Sequence, residues 1–574
     1  MKKFAKKFAL LSMASVLMAG SLVGCGSDTS NNNNSGNTTP ATGDTGSSNN
    51  NDSTFAQGGT SVIAIGNLNG VFSAFFGTTA YDRYIYECAH EYLITVDREG
   101  RYIPNLADFT IEEITNDAGD LQTVYTFKLQ EGITFSDGVP MTADDILFGF
   151  YVLLDPTYDG TSTLFTVDIV GLDEYRNGDA TEVAGIQRID DHTVSVTING
   201  IDAGALNKFR VHVLPEHYYG ETFVKGDLSG VKAKNGAPLG SGPFVFEDYS
   251  NNVVSFVANE NYHKGTPNLE KLKFQVTDSA NLFEAVRSEQ VDISDPTASP
   301  DQVKMVEDAR LHYELTEYNG YGYIGMNAER IPDINVRKGL MHLMNRGPAV
   351  QTYYGDLATV IERPMTTISW AYPQDAEEYY GYSPEKALEY FTLAGYENVG
   401  GKLMKDGEQL RIEVGISASG TMDHPSAPVL TQMKVDLENM GGVLEIMDTD
   451  GTVFFEVLNA EEWDMWVAAW TATPDPDLYQ IYHSDGSTSR YNINNPELDK
   501  LIEDARTTND VDVRTNLYHQ ALDIIMDEAI NMPIYQRKNM YVINPEWIDI
   551  NSLPENMTPY HTFYQALDNL AQPK

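Results

Sequence analysis

The sequence predicts an α/β fold, in which strands and helices share one large core. Three observations support this prediction: a strand pattern near residue 125, capped amphipathic helix patterns in three places, and no internal repeat after Thr60. Hydrophobic residues make up 42 % of the 574 residues and aromatic residues 11 %. That composition is sufficient for a large packed core and argues against a chain that is disordered throughout.

The strand prediction comes from alternation. Tyr125, Phe127 and Leu129 occupy every second position, as expected for a strand that buries one face. The first helix prediction follows shortly afterwards. Thr142 is a good N-cap residue, and two aspartates stand in the turn that it opens. The apolar side chains that follow fall on one helical face.

Two further helices are predicted by a capping residue followed by proline. Ser383 and Pro384 open one of them, and Gly395 ends it. Asn495 and Pro496 open the other. The residues that we expect on the inner faces are Ala387, Phe391 and Ala394 in the first helix and Leu498, Leu501, Ile502 and Ala505 in the second.

The first 25 residues have the pattern of a lipoprotein signal peptide. Four lysines precede an apolar stretch over residues 8–19, which is short for a membrane span. The segment Leu22-Val23-Gly24-Cys25 then resembles the bacterial lipobox, which predicts lipidation at Cys25. Two acyl chains anchor a protein durably to a membrane. Residues 1–25 are therefore predicted to direct the chain to the outer face of a cell membrane or to the periplasm.

The segment after Cys25 is predicted to be a disordered tether. Of the 35 residues 26–60, 27 are Ser, Thr, Asn or Gly, a composition that buries too little apolar surface to fold. Once Cys25 is lipidated, Cys88 remains as the other cysteine. We expect it to be a buried, inert thiol and expect no disulfide.

The charge and the motifs exclude several classes of function. With 38 basic and 83 acidic residues the formal charge is −45, opposite to the balance that nucleic-acid binding needs. A charge of this size keeps a protein dispersed and biases a cleft modestly toward cationic or neutral ligands. The sequence contains no HExxH or GxxxxGK[ST] motif, and its histidines lack metal-ligand spacing. We therefore predict no catalytic residues, no metal and no cofactor.

Aromatic residues are the positive signal for binding. The chain contains 33 tyrosines, 23 phenylalanines and five tryptophans, and two clusters at residues 318–323 and 463–470 follow no simple periodicity. Such side chains offer broad contact and lose little rotamer entropy in a ligand cleft. As a group they favour a ligand-binding protein, although any single one of them is more often part of a core.

Several motifs then match one family in its own order. They are residues 125–129 with 132–145, 214–217, 240–244, 259–262, 336–346, 382–396, 492–506 and 532–535. From about residue 61 to residue 550 the chain thus resembles the extracellular solute-binding proteins, family 5, of ABC importers. This group includes oligopeptide-, dipeptide- and nickel-binding proteins.

The resemblance implies a periplasmic-binding-protein-like fold with two lobes and an extra domain. Lobe I would comprise residues 61–95, 237–330 and 531–574. The extra domain II would comprise residues 96–236, and lobe III residues 331–530. The ligand would lie between lobes I and III, which close on it about a hinge. The expected ligand is a short peptide, and the expected protein partner is an ABC permease with its ATPase. The binding protein itself is expected to be a monomer.

The resemblance also implies ligand-binding positions. One segment is Phe75, Phe76, Gly77 and Thr78, which in peptide-binding members pairs with the ligand backbone like an added strand. A second segment is Ala469, Trp470 and Thr471, with Trp470 as the wall of a side-chain pocket. His424 lies near a third matching position.

One departure from the family pattern bears on specificity. Thr473 stands where many peptide binders carry an aspartate that pairs with the ligand's α-ammonium. Asp475 or Asp477 is a possible substitute, which leaves three ligand classes open: peptides, oligosaccharides and nickel chelates. A wall-anchored hydrolase and a signalling receptor without an importer are further alternatives.

Overall fold

The computed structural model describes residues 55–418 and 420–574, and strands and helices alternate through this part of the chain. The elements up to residue 232 are β1 (Thr60–Ile65), α1 (Ala80–Glu87), β2 (Ile94–Val96), β3 (Tyr102–Pro104), β4 (Ala107–Thr115), β5 (Leu121–Leu129), α2 (Ala143–Leu153), α3 (Leu172–Asn177), β6 (Ile186–Arg188), β7 (Thr193–Asn199), α4 (Ala205–Phe209), α5 (Glu216–Tyr219) and α6 (Ser229–Lys232).

The elements between residues 233 and 360 continue this alternation. They are β8 (Phe244–Ser250), β9 (Val253–Ala258), β10 (Lys271–Val276), α7 (Leu282–Arg287), β11 (Ile293–Ser294), α8 (Pro300–Asp308), β12 (His312–Glu317), β13 (Gly320–Met326), α9 (Ile334–Met341), α10 (Arg346–Tyr354) and β14 (Ala358–Thr359). The remaining elements are α11 (Pro384–Leu393), β15 (Glu397–Val399), β16 (Lys402–Lys405), β17 (Glu408–Gln409), β18 (Arg411–Ile416), α12 (Ala427–Asn439), β19 (Val443–Asp448), α13 (Gly451–Asn459), β20 (Met465–Thr471), α14 (Tyr479–Tyr482), α15 (Pro496–Arg506), α16 (Val511–Asp527) and β21 (Asn531–Ile543).

The α/β prediction is confirmed, and so are the elements on which it rested. β5 buries Tyr125, Phe127 and Leu129, each at most 2 % exposed. Helix α2 begins after Thr142, whose backbone N–H donates to the Asp145 carboxylate at 2.8 Å. Helices α11 and α15 begin at the predicted prolines. Capping side chains satisfy backbone N–H groups that the first turn leaves unpaired.

One large mixed sheet organises the described chain. Its strand order is β19-β18-β20-β13-β21-β11-β1-β10-β9-β8, and β12 and β14 also pair with β21. We call β1 and β8–β12 the β1 half of this sheet, and β13 with β18–β20 the β20 half. A separate antiparallel sheet has the order β4-β5-β7-β6. Its apolar side packs against α2 and α4 in a core of its own.

Strand β21 belongs to both halves of the large sheet. Its residues 531–535 pair with β13, and its residues 538–543 pair with β12. Strands β12 and β13 follow each other directly, with only Tyr318 and Asn319 between them. Two backbone crossings, at residues 318–319 and 536–537, therefore join the halves at the same place.

These pairings differ from the predicted boundaries. Residues 320–330 and the start of β21 were expected in lobe I, but β13 pairs with β20 along seven residues. Phe75 and Phe76 were also expected in lobe I, yet both pack into the core of the four-stranded sheet. The motifs that set the boundaries mark turns and caps, whereas strand pairing depends on residues far away in sequence.

Cys88 is buried, as predicted, and it has no disulfide partner in the described part of the chain. Burial raises the pKa of its thiol well above the usual value, since a thiolate is poorly solvated there. None of the described helices combines the length and the apolar character that crossing a bilayer requires. The predicted signal peptide, Cys25 and the tether up to residue 54 lie outside the described residues. The end of the predicted tether is wrong, because Thr60 begins β1 and pairs with Lys271, and the Gly58 N–H donates to the Asn268 carbonyl at 2.7 Å.

Candidate functional site

Both predicted ligand segments face cavities, and the two cavities share a wall. The first cavity, of about 440 Å³, is lined by Phe75, Gly77 and Thr78. The second, of about 280 Å³, is lined by Trp470 and Thr473. Residues in and around α4 line both cavities, so the two adjoin each other, and we call them together the cleft. The residues common to both linings are Thr163, Asn207 and Lys208.

The segment over residues 74–76 is a turn rather than an extended strand. Phe75 and Phe76 are 2 % and 7 % exposed, and the Phe75 carbonyl accepts a 2.6 Å hydrogen bond from the Tyr158 hydroxyl. The Gly77 N–H donates to the Ser73 carbonyl at 2.7 Å. This backbone is thus partly occupied, and Phe76 lines neither cavity. Pairing with a ligand as an added strand does not fit this geometry.

Glycine at position 77 has a packing reason. A Cβ built there would lie 2.7 Å from a ring carbon of Tyr86 and 2.8 Å from the Ser73 carbonyl oxygen. No side chain fits at such distances without a shift of the neighbours. Gly77 therefore allows the turn to pack closely against α1 at the rim of the cleft.

Strand β20 brings Trp470 to the cleft with one edge of its backbone open. It pairs with β13 along its whole length, including Ala469 with Gly322. On its other side β18 pairs only with Met465 and Trp466. Beyond Trp466 no strand of the described chain covers that edge. An uncovered edge offers N–H and C=O groups to an extended ligand.

The end of β20 is tied to the crossing between the two halves of the sheet. The Thr471 hydroxyl lies 2.6 Å from the Tyr318 hydroxyl. The Asn319 side-chain amide donates to the Ala472 carbonyl at 2.8 Å. Thr471 is exposed and, like Ala469, does not line the second cavity. Its hydroxyl positions β20 relative to the crossing.

The aromatic clusters divide between core and cleft. Trp463 and Trp466 are 6 % and 2 % exposed and belong to an apolar core. Trp470 is half-buried and lines the second cavity together with Tyr321. Trp466 and Trp470 lie four residues apart in β20 and so share one face of the strand; they differ because Trp466 stands near its buried start and Trp470 near its exposed end.

The aspartates near Thr473 are already paired inside the protein. Thr473 itself donates from its hydroxyl to the Asp475 carbonyl at 2.6 Å. Both carboxylate oxygens of Asp475 accept from Nη2 of Arg514 at 2.9 Å, and the two side chains are 5 % and 7 % exposed. Burial raises the pKa of Asp475, while Arg514 opposes that rise and favours the ionised form.

Asp477 is engaged in the same way at the surface of the cavity. Its Oδ2 lies 3.3 Å from Nε of Arg506, and its Oδ1 accepts from the Tyr479 N–H at 3.0 Å. Thr473 carries no charge, and both nearby carboxylates have arginine partners. None of these three residues therefore offers the second cavity a free carboxylate that could pair with a ligand ammonium group.

His424 lies apart from the cleft. It lines a different cavity, of about 430 Å³, which shares no lining residue with the other two. Its Nδ1 accepts from the Ser426 N–H at 3.1 Å, and burial lowers its pKa to about 4. The structure thus does not bring His424 together with Trp470.

Sequence reasoning missed the basic side of the first cavity. Arg83, Lys208, Arg210 and His212 all line it. They come from helix α1, helix α4 and the segment that follows α4. These residues form a group only because folding brings them close to Thr78, and no local sequence pattern reveals that proximity. Within residues 55–418 and 420–574, no set of three or more His, Cys, Asp or Glu side chains is placed to hold a metal ion.

Comparison with known proteins agrees with this architecture. The family model "Bacterial extracellular solute-binding proteins, family 5 Middle" matches residues 103–492. The oligopeptide-binding protein AppA of Bacillus subtilis is 24 % identical over 525 residues, covering 88 % of this chain and 89 % of AppA. The heme-binding protein A of Haemophilus influenzae is 24 % identical, covering 77 % of this chain and 80 % of that protein.

A solved structure shows the same fold. It is that of AppA from Bacillus subtilis in complex with a nonapeptide, with a TM-score of 0.66 and 22 % identity. The match covers 91 % of this chain and all of that one.

Proposed function

The chain belongs to the bacterial extracellular solute-binding proteins, family 5, and we propose that it captures short peptides for an ABC importer. In this proposal it is the lipid-anchored, extracellular substrate-binding component, which delivers its ligand to a membrane permease with its ATPase. The chain is a solute-binding protein and not an enzyme.

The observation that supports peptide capture best is the open edge of β20 beside Trp470. An extended ligand main chain can pair with this edge, while Trp470 and Tyr321 supply the wall of a side-chain pocket. The cavity at Thr78 adjoins this one at α4. The two cavities, of about 440 and 280 Å³, would together hold a ligand of several residues.

Closure would take place about the two crossings at residues 318–319 and 536–537. We propose the β1 half as lobe I, the four-stranded sheet with its helices as the extra domain, and the β20 half as lobe III. Two adjacent crossings restrict the motion to a hinge. Closing the cleft excludes water, so hydrogen bonds to the ligand become stronger. The permease would then recognise the closed form, which ligand binding populates.

The anchor is part of the proposal. Lipidation at Cys25 would hold the protein at the membrane, and residues 26–54 would leave the body free to reach the permease. Cells that express the protein should incorporate labelled palmitate into it, and Cys25→Ala should abolish both this label and membrane retention. Retention of the label in C25A would refute lipidation at this cysteine.

A second ligand class rests on a specific observation. Asp475 and Asp477 are held by Arg514 and Arg506, so neither is free to pair with a peptide α-ammonium. This favours ligands whose end at this cavity is uncharged, such as N-blocked peptides or oligosaccharides. A half-buried tryptophan also suits the apolar face of a sugar ring.

The test is a thermal-shift screen of the wild-type protein with libraries of di- to pentapeptides, free and N-acetylated, and with oligosaccharides. Ligand at 100 times its Kd should stabilise the native state by about 2.7 kcal/mol. Trp470→Ala should weaken binding, whereas Trp547→Ala, at a position that is 43 % exposed, is the control. A response to sugars and none to peptides would overturn the peptide assignment.

A further inference from the structure

The cavity beside Thr78 is basic, although the protein as a whole is strongly acidic. Arg83, Lys208 and Arg210 line it together, in a chain whose formal charge is −45. Most basic residues of such a chain are expected to lie beside carboxylates. The partners of these three side chains therefore show whether the cavity carries an unbalanced charge.

Two of the three cations have carboxylate partners. Nε of Arg83 lies 3.8 Å from Oε1 of Glu87, one helical turn further along α1. Nζ of Lys208 lies 2.9 Å from Oδ2 of Asp202. The charges of these two pairs largely cancel, so they leave little net field in the cavity.

Arg210 is different. In the described part of the chain its guanidinium makes no ion pair and no side-chain hydrogen bond, and its Nε is buried without a partner. The guanidinium carbon lies 3.8 Å from the ring centroid of Tyr92, which holds the side chain in place. A cation–π contact orients an arginine and leaves its N–H donors unused.

His212 adds a second unused group at the same wall. It is 7 % exposed and lines the cavity, and its Nε2 has no hydrogen-bond partner among the described residues and lies 4.0 Å from Oε1 of Glu87. Burial lowers the pKa of His212 well below its usual value, and the charges of Arg210 and Arg83 lower it further. The imidazole is therefore neutral near pH 7.

Buried polar groups normally find hydrogen-bond partners, and an unpaired charge is the costliest exception. Arg210 and His212, two residues with such unpaired atoms, both line the cavity of about 440 Å³, which adjoins the second cavity at α4. A carboxylate accepts from a guanidinium in a bidentate geometry. An anion is therefore the chemical group that completes this wall.

We propose that this cavity is a subsite for a carboxylate of the ligand, with Arg210 as the specificity-determining residue. The inference rests on the proposed function, since it assigns one end of the ligand that the cleft captures. The carboxylate lies at Arg210, and the uncharged remainder extends past α4 toward Trp470. The site thus selects acidic ligands, against the modest cationic bias that the overall charge implies.

Matched ligand pairs test the proposal on the full chain. One pair is an N-acetylated tetrapeptide library with free C-terminal carboxylates and the same library as C-terminal amides. The other is trigalacturonic acid and its methyl ester, since the carboxylate could belong to a peptide or to a sugar acid. Isothermal titration calorimetry gives the ratio of affinities within each pair. We expect the acid to bind about 10- to 100-fold more tightly than its neutral form in the pair that binds.

Three variants assign that preference to the cavity. Arg210→Gln should abolish it, and Arg210→Lys should retain part of it, because lysine keeps the charge and loses the bidentate fork. Arg83→Gln, at a side chain that is 49 % exposed, should reduce the preference without a risk to folding. Arg287→Gln is the control, since Arg287 is exposed and pairs with Glu284 on α7.

The outcomes separate the subsite from the proposed function. Equal affinity for acid and neutral forms, or a preference that survives in R210Q, overturns the subsite and leaves solute capture intact. If neither pair binds, the proposed ligand classes fail. Citrate, a small carboxylate, then tests the subsite by itself. It should raise the thermal unfolding midpoint of the wild type more than that of R210Q. Equal stabilisation would overturn it.

Discussion

Replacement of Asp475 by asparagine tests whether its pairing with Arg514 is structural. The asparagine would keep the shape of the side chain but remove its charge. Arg514, which is 7 % exposed, would then keep hydrogen bonds to the Ala505 carbonyl and the Tyr518 hydroxyl and lose its carboxylate partner. D475N therefore leaves an uncompensated cation in the protein interior.

The distances set the size of the effect. Two unit charges about 2.9 Å apart attract each other by about 6 kcal/mol at an effective dielectric constant of about 20. Asparagine would retain part of this attraction, because its amide oxygen still accepts a hydrogen bond from Arg514. Removal of one partner from a buried pair costs about 3–5 kcal/mol. We expect D475N to lower the free energy of unfolding by that amount.

Guanidinium unfolding followed by tryptophan fluorescence measures the change. The control is Asp504→Asn, because Asp504 pairs with Lys500 on the exposed side of α15 and should contribute less than about 1 kcal/mol. The double variant D475N/R514M should lose less stability than the sum of the single variants, since it leaves no unpaired charge.

A result at the level of the control would refute this reasoning. If D475N unfolds at the same denaturant concentration as D504N, Asp475 is not committed to Arg514 in solution. It would then be available to a ligand. In that case the wild type should prefer free peptides over N-acetylated ones, and D475N should lose this preference. If Asp475 is paired with Arg514, the wild type should show no such preference.

Three further predictions concern other parts of the molecule. Gly77→Ala should destabilise the protein by about 1–3 kcal/mol in chemical denaturation, since the new Cβ would lie 2.7 Å from the Tyr86 ring, whereas Gly347→Ala meets no atom within 4 Å and should not. Cys88 should resist thiol reagents until the protein unfolds, and rapid labelling of the native state would contradict its burial. The pKa of His90 is lowered to about 3 by burial, so the unfolded state binds more protons below pH 6.5. Stability should therefore fall as pH drops from 6.5 toward 5, by up to about 1.4 kcal/mol per pH unit from this group, and H90Q should reduce that slope.

Local patterns predicted the elements that depend on local physics. The N-caps at Thr142, Ser383 and Asn495 and the alternation in β5 are visible in sequence because the interacting atoms are a few residues apart. The family motifs extended this to the fold. The segment at residues 74–76, by contrast, forms a turn, because Phe75 and Phe76 find their packing partners in the core of the four-stranded sheet.

The predicted site residues lie in different parts of the structure, and their contact with a ligand stays a prediction. Trp470 and Thr473 do line the cleft, as a motif around them indicated. The state of Asp475 could not be predicted, since its partner Arg514 lies 39 residues away. His424 lines another cavity, and the motif near it carried no information about which way that loop faces.

The sequence by itself determined the family, the α/β class, the buried thiol at Cys88 and the net charge of −45. Each of these depends on composition or on residues close together in the chain. Only the tertiary structure decided which charges are already paired. Asp475 is neutralised by Arg514, while Arg210 has no carboxylate partner among the described residues and stands at the cleft. The physical reason is that electrostatic attraction depends on distance in space and on burial, and chain folding sets both.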